Sequence, residues 1–143
     1  MQRNNPFAGT YTALITPFTL SGRLDEVRFQ KQIERQIAAG VDGIVPVGTT
    51  GESPTLTFEE HLRVIKLAVE YAAGRVKVLA GTGANSTSEA IQLTKGAEDA
   101  GADSSLQVAP YYNRPTQEGL YRHFLAIADA TRLPIILYNI PSR

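Results

Sequence analysis

Cysteine is absent from this chain, which excludes disulfides, thiolate metal sites and a cysteine nucleophile and leaves reducing and oxidising compartments equally open. Net charge is absent too: fourteen basic side chains balance fourteen acidic ones. With no basic run, the polyelectrolyte attraction that drives nonspecific binding to nucleic acid is missing, so nucleic acid is excluded as an expected partner. Histidine is scarce, with two residues, and no third ligand stands at metal spacing near either, so no metal site is expected. No apolar stretch approaches the ~18 residues of a membrane span. Residues 1–6 are polar and lack the apolar core of a signal peptide, which points to a cytoplasmic protein. What remains is a chain of 143 residues with 43% hydrophobic content, the size of one domain spanning 1–143 with no linker or second domain.

A unit of short apolar strand, polar or glycine-rich turn and amphipathic helix recurs every ~25 to 35 residues, the arithmetic of βα units. Strands are expected at 12–17, 43–47, 76–80, 105–109 and 134–139. Their apolar runs are continuous rather than alternating, as in parallel strands covered on both faces. Thr57 with Glu60 and Ser86 with Glu89 match the capping box of a helix start. Gly40, Gly74 and Gly101 follow helical stretches where a left-handed residue ends a helix. Five strands and four helices fit a doubly wound sheet by size. They also fit an incomplete (β/α) barrel, whose full form needs about 250 residues.

In either architecture ligands bind at the C-terminal ends of the strands, and the unusual residues lie there. Gly48-Thr49-Thr50-Gly51-Glu52-Ser53 offers consecutive amides and two hydroxyls to a small carboxylate or phosphate, or forms an ordinary tight turn with hydroxyls on its own backbone. Gly81-Thr82-Gly83-Ala84-Asn85-Ser86 imitates a dinucleotide fingerprint, but the third glycine is replaced by Ser86 and Asp103 falls at the wrong end of its strand; it reads as a glycine turn before a capped helix. Adjacent phenols in Tyr111-Tyr112-Asn113-Arg114-Pro115 cannot both enter one core, so at least one faces a cleft or a partner subunit. Tyr138 at a strand end either relays protons or packs with its hydroxyl on water. His123 is expected on a helix surface. Glu59-Glu60 and Glu98-Asp99 are expected on solvated helix faces.

In these residues the chain closely resembles the N-terminal part of the dihydrodipicolinate synthase family, within the pyruvate-dependent class I aldolases. The shared motifs are Leu14-Ile15-Thr16-Pro17-Phe18, the Gly48–Ser53 and Gly81–Asn85 turns, Ala109-Pro110-Tyr111-Tyr112-Asn113-Arg114-Pro115 and Tyr138-Asn139-Ile140-Pro141-Ser142-Arg143. The resemblance implies a (β/α)8 TIM barrel, of which this chain holds the first five strands and four helices. It also implies a homotetramer built as a dimer of dimers. The implied reaction is Schiff-base condensation of pyruvate with aspartate 4-semialdehyde on the route to diaminopimelate and lysine, with no cofactor beyond the imine. Tyr138 then matches the proton-transferring tyrosine, linked through Thr49 to Tyr112, which a neighbouring subunit donates. Thr50 with Thr49 matches the holder of the pyruvate carboxylate, and Arg143 the arginine that receives the aldehyde substrate's carboxylate. Ser53, His61, Asn85, Glu89 and Tyr111 match the positions that bind lysine as feedback inhibitor. Pro54 and Phe58 depart from residues that are polar or smaller in some inhibited members, which touches the strength of inhibition rather than its location. A competing account makes Glu89 a helix cap and gives His61 a bond within its own helix.

The resemblance also exposes a gap. Lys31, Lys66 and Lys95 fall in helices and Lys77 starts a strand at the end remote from the site, so none is placed to form the imine. In the family that lysine follows on the next strand, and the isolated chain is expected to be inactive. Two other readings remain beside the synthase: a related pyruvate aldolase of the N-acetylneuraminate lyase or keto-deoxy sugar-acid type, and a noncatalytic half-barrel that pairs through its sheet edges.

Overall fold

The computed structural model describes residues 5–142. Five strands and four helices alternate: β1 (Tyr11–Ala13), α1 (Glu26–Ala38), β2 (Gly43–Val45), α2 (Phe58–Ala72), β3 (Lys77–Gly81), α3 (Thr87–Ala100), β4 (Ser104–Val108), α4 (Gln117–Asp129) and β5 (Ile135–Tyr138). All four strand pairings are parallel, and the order in the sheet is the order in the chain. That order decides between the two architectures. A doubly wound sheet turns back at a switch point and breaks the sequence of strands, whereas here each strand joins the edge left by its predecessor. Right-handed crossovers in one direction place every helix on the same face, and α1 packs on α2, α2 on α3 and α3 on α4. The result is the first part of a (β/α) barrel wall.

Helix starts follow from local hydrogen bonding. Thr57 and Glu60 form the full reciprocal box at the head of α2, with Glu60 N donating to Thr57 Oγ1 at 3.2 Å and Thr57 N donating to Glu60 Oε2 at 2.9 Å. Ser86 makes half of one, accepting from Glu89 N at 3.5 Å. Asp25 and Thr116 cap α1 and α4 in the same way. At the helix ends Gly40, Gly74 and Gly101 all adopt positive φ, although α2 already turns left-handed at Ala73.

Two strands are shorter than their apolar runs. Beyond Ala13 the backbone of Ile15 is taken over by a side chain: its N–H donates to Gln32 Oε1 at 3.1 Å and its carbonyl accepts from Gln32 Nε2 at 3.0 Å. Strand β2 stops where Pro46 lacks a donor and Val47 turns to φ +54°.

The core lies between the sheet and its helices. Ile44, Val78 and Ala80 of the outer sheet face meet Phe29, Ile33 and Ile65, all at most 3% exposed. The two edges are open: Ile15, just beyond β1, is 56% and Leu137 of β5 57% exposed. Arginines join neighbouring helices across the surface, Arg63 to Glu26 and Arg75 to Glu34. No helix of the described residues is long and apolar enough to cross a membrane.

Two side chains depart from the sequence expectation for a common reason, a partner distant in sequence. His123 is buried, not on the helix surface: its Nδ1 lies 2.9 Å from Thr87 Oγ1 and its ring meets Phe124 edge-on. Glu98 is no solvated carboxylate. It accepts from Thr131 Oγ1 at 2.6 Å and from Arg132 Nε at 2.8 Å, tying α3 to the turn before β5, and these donors hold its pKa down at about 2.

Two expectations follow. Phe29→Ala removes a fully buried ring and should lower unfolding free energy by about 3–5 kcal/mol in a denaturant titration. Burial holds both histidines below their ordinary 6.5, His61 against a partly opposing bond to Gly81. The unfolded chain therefore binds more protons than the folded one as pH falls past that value, so stability is full above it and declines below. Urea midpoints should drop between about pH 7.5 and about pH 5.5, above the range where Glu98 titrates, and His123→Gln should flatten part of that slope.

Candidate active site at the strand ends

A parallel sheet gathers all of its strand-end turns on one rim. There the ends of β2 to β5 enclose a narrow crevice whose lining includes Val47, Gly48, Thr49, Gly81, Val108 and Tyr138. An open groove of about 370 Å³ adjoins it, lined by Thr49, Ser53, Pro54, Val108, Tyr111, Tyr112 and Ile140. Thr49, Ser53 and Val108 line both, with Tyr138 in the crevice and the paired tyrosines in the groove.

The turn after β2 is two short 3-10 turns, Thr49–Gly51 and Ser53–Thr55, hinged at a left-handed Glu52 (φ +60°). Gly51 N and Glu52 N close the first turn onto Gly48 O and Thr49 O at 3.0 and 3.1 Å. Thr16 Oγ1 donates to Gly51 O at 2.7 Å and fastens the turn to the segment after β1. Among the described residues the amides of Thr49 and Thr50 have no acceptor, and both threonines are exposed. Two free amides and two hydroxyls at a rim suit a small carboxylate.

The tyrosine pair divides as the sequence requires. Tyr111 is half-buried; Tyr112 takes φ +71° and stands 94% exposed. Asn85 Nδ2 donates to Tyr111 O at 3.3 Å. Burial pushes the Tyr111 phenol up, and the charge of Glu89 pushes it further. Ser53 shares the groove with Tyr111, so three of the five expected lysine-site residues, Ser53, Asn85 and Tyr111, converge. His61 is the exception in kind. It is 4% exposed, and its Nε2 donates to Gly81 O at 2.7 Å rather than within its own helix. Tyr138 closes β5 at 41% exposure. Arg143 lies outside the described residues.

Sequence reasoning missed a buried polar cluster behind this rim. Gln107 Nε2 lies 2.8 Å from Thr82 Oγ1, 2.9 Å from Thr94 Oγ1 and 2.7 Å from Ser105 Oγ, and Thr94 Oγ1 donates to Ala90 O at 2.7 Å. The cluster joins the turn after β3 to β4 and α3. Its only trace in the sequence is polar residues inside an apolar strand run, Ser105 and Gln107. The lysines sit as expected: Lys31, Lys66 and Lys95 are exposed on helices, and Lys77, at the start of β3, pairs with Asp103 at 3.6 Å. None lines the crevice or the Thr49 groove.

Comparison with known proteins agrees with this geometry. Residues 6–143 match the Dihydrodipicolinate synthetase family. The 4-hydroxy-tetrahydrodipicolinate synthase of Rhodospirillum centenum is 62% identical over 137 residues, 96% of this chain and 47% of that protein. The chloride-inhibited dihydrodipicolinate synthase of Acinetobacter baumannii, solved with pyruvate, superposes with a TM-score of 0.91 at 54% identity, covering 94% of this chain and 46% of that one. The enzyme of Cyanidioschyzon merolae with lysine bound gives 0.88 at 46% identity, covering 93% and 46%. The chain spans about half the length of the relatives it matches. Strand order, rim motifs and these likenesses coincide: the chain belongs to the dihydrodipicolinate synthetase family, a family of enzymes.

Proposed function

We propose that this chain supplies the pyruvate seat and the proton-transfer side chains of a Schiff-base synthase that condenses pyruvate with aspartate 4-semialdehyde. The observation that carries the reading is Thr49, common to the Tyr138 crevice and the Tyr112 groove. In this reading the free amides and hydroxyls of Thr49 and Thr50 hold the pyruvate carboxylate, as charge-assisted donors do. A lysine amine then attacks the keto carbon, and the carbonyl oxygen leaves as water when the imine forms. Tyr138 delivers and accepts the protons of these steps, with Thr49 as its link to Tyr112. At 94% exposure and with a left-handed backbone, Tyr112 is shaped to reach a neighbouring subunit, so we assign it to the site of a partner in a homotetramer. Arg143 receives the aldehyde substrate's carboxylate. The nucleophilic lysine comes from outside residues 1–143, because none of the four lysines present lines the crevice or the groove. Retention of pyruvate by the A. baumannii relative supports the substrate.

Feedback by lysine is part of the same proposal. In this reading Glu89 offers the carboxylate for an ammonium group, and Ser53, His61, Asn85 and Tyr111 complete the site. Glu89 makes no reciprocal bond to Ser86 N among the described residues, so the capping account leaves its carboxylate unused. The C. merolae relative holds lysine.

Reduction with borohydride in the presence of pyruvate should leave the intact mass unchanged, while ligand-detected NMR should register pyruvate binding. Thr50→Val should weaken that binding about tenfold or more, since a hydrogen bond to a charged group contributes about 1.5–3 kcal/mol. A stoichiometric adduct on Lys31, Lys66, Lys77 or Lys95 would put the nucleophile inside this chain and overturn its assignment; absence of pyruvate binding would remove the seat. For lysine, calorimetric titration should show binding that Glu89→Gln abolishes, and equal affinity of the two proteins would refute the assignment.

A further inference from the structure

We propose that Gly81 and His61 are positioning residues for the carboxylate turn: Gly81 is the socket on which the Val47–Gly48 peptide rests, and His61 fixes that socket in place. The inference rests on the assignment of Thr49 and Thr50 to the pyruvate carboxylate.

Gly81 is the last residue of β3, and its three sides are all engaged. Its N–H donates to Pro46 O at 3.0 Å, its carbonyl accepts from His61 Nε2 at 2.7 Å, and its bare Cα faces the backbone after β2. A Cβ there would collide with the Val47 carbonyl oxygen and stand 2.6 Å from Val47 C and 2.9 Å from Gly48 N. These are backbone atoms and cannot swing aside like a side-chain tip. The peptide that rests on Gly81 is itself held in a disfavoured shape. Val47 is β-branched, 1% exposed and at φ +54°, a conformation that persists only where its surroundings impose it.

What Gly48 does next gives the socket its consequence. Gly48 O accepts from Gly51 N at 3.0 Å and from Ser53 N at 3.5 Å, so the first 3-10 turn and the start of the second both hang from it. Thr49 and Thr50 follow directly. A displacement of the Val47–Gly48 peptide by a few tenths of an ångström therefore moves both threonine amides and hydroxyls. His61 reaches the socket from α2, and its buried Nε2–H sets the plane of the Gly81 carbonyl. The link runs from helix to strand end to turn without either residue touching the ligand.

The test uses the full chain with ¹⁵N labelling, reading the amide resonances of Thr49 and Thr50 together with pyruvate affinity. Gly81→Ala and His61→Leu should shift both resonances and weaken pyruvate about tenfold. His61→Gln should restore both, because its amide nitrogen can replace Nε2 as donor to Gly81 O, whereas Leu keeps the packing and loses the bond. A packing role alone would instead favour Leu over Gln. The proposal is overturned if His61→Leu, still folded, leaves the Thr49 and Thr50 amides in place, or if Gln behaves like Leu. Should Gly81→Ala fail to fold, the His61 pair still decides. Failure of the unaltered protein to bind pyruvate would sink the carboxylate assignment, and the amide resonances would still settle the socket.

Discussion

The register between β2, β3 and β4 is the constraint on which the rest of the structure depends. Leu79 pairs with Ser104 and Gly81 with Leu106, and past the ladder Gly81 N still reaches Pro46 O while Thr82 N and Gly83 N reach Leu106 O. The sheet thus continues beyond its regular strands into the rim turns and carries them as extensions of itself. A slip of one residue would exchange the sheet's faces. It would turn Ile44, Val78 and Ala80 away from the helices and move Gly81 from beneath the Val47 peptide. Core stability and site geometry are set by one ladder.

Much of that ladder was legible in the sequence. The five apolar runs gave the strands to within a few residues, because strands covered by helices need an unbroken apolar character. The differences at the ends of β1 and β2 come from single residues, the Gln32 amide and Pro46. Strand order was not legible, since βα units read alike in a doubly wound sheet and in a barrel wall; only the resemblance of the motifs favoured the barrel before the structure supplied the order. His123 and Glu98 depart from expectation because their partners, Thr87 and the Thr131–Arg132 pair, stand 33 to 36 residues away, and helical periodicity carries no information on such pairs.

The rim shows the same division. Gly48–Ser53 announced itself through composition, as glycines and hydroxyls after a buried strand. Val47 gave no sign: a β-branched residue argues for extended backbone, and its left-handed turn is visible only with Gly81 in view. Gly81 was visible as a glycine but was absorbed into an apparent dinucleotide fingerprint, whose rejection left it without a purpose. Its purpose is a close approach of two backbones, which no local pattern encodes.

Left-handed backbone at residues other than glycine occurs at Val47, Glu52, Ala73 and Tyr112 among the described residues. Ala73 ends a helix, where such a residue is common. The other three all lie in turns at the C-terminal ends of strands, within or beside the Thr49 groove. Each such residue opposes folding by about 1–3 kcal/mol relative to relaxed backbone, so relaxed turns at these positions would give a more stable chain. Surroundings able to hold Val47 and Glu52 are present here: the Gly81 socket, the Thr16 bond to Gly51 and the buried isopropyl of Val47. Tyr112, almost wholly exposed, has no comparable enclosure among the described residues. The proposed seat of Tyr112 in a partner subunit, with its relay through Thr49, would supply such an enclosure.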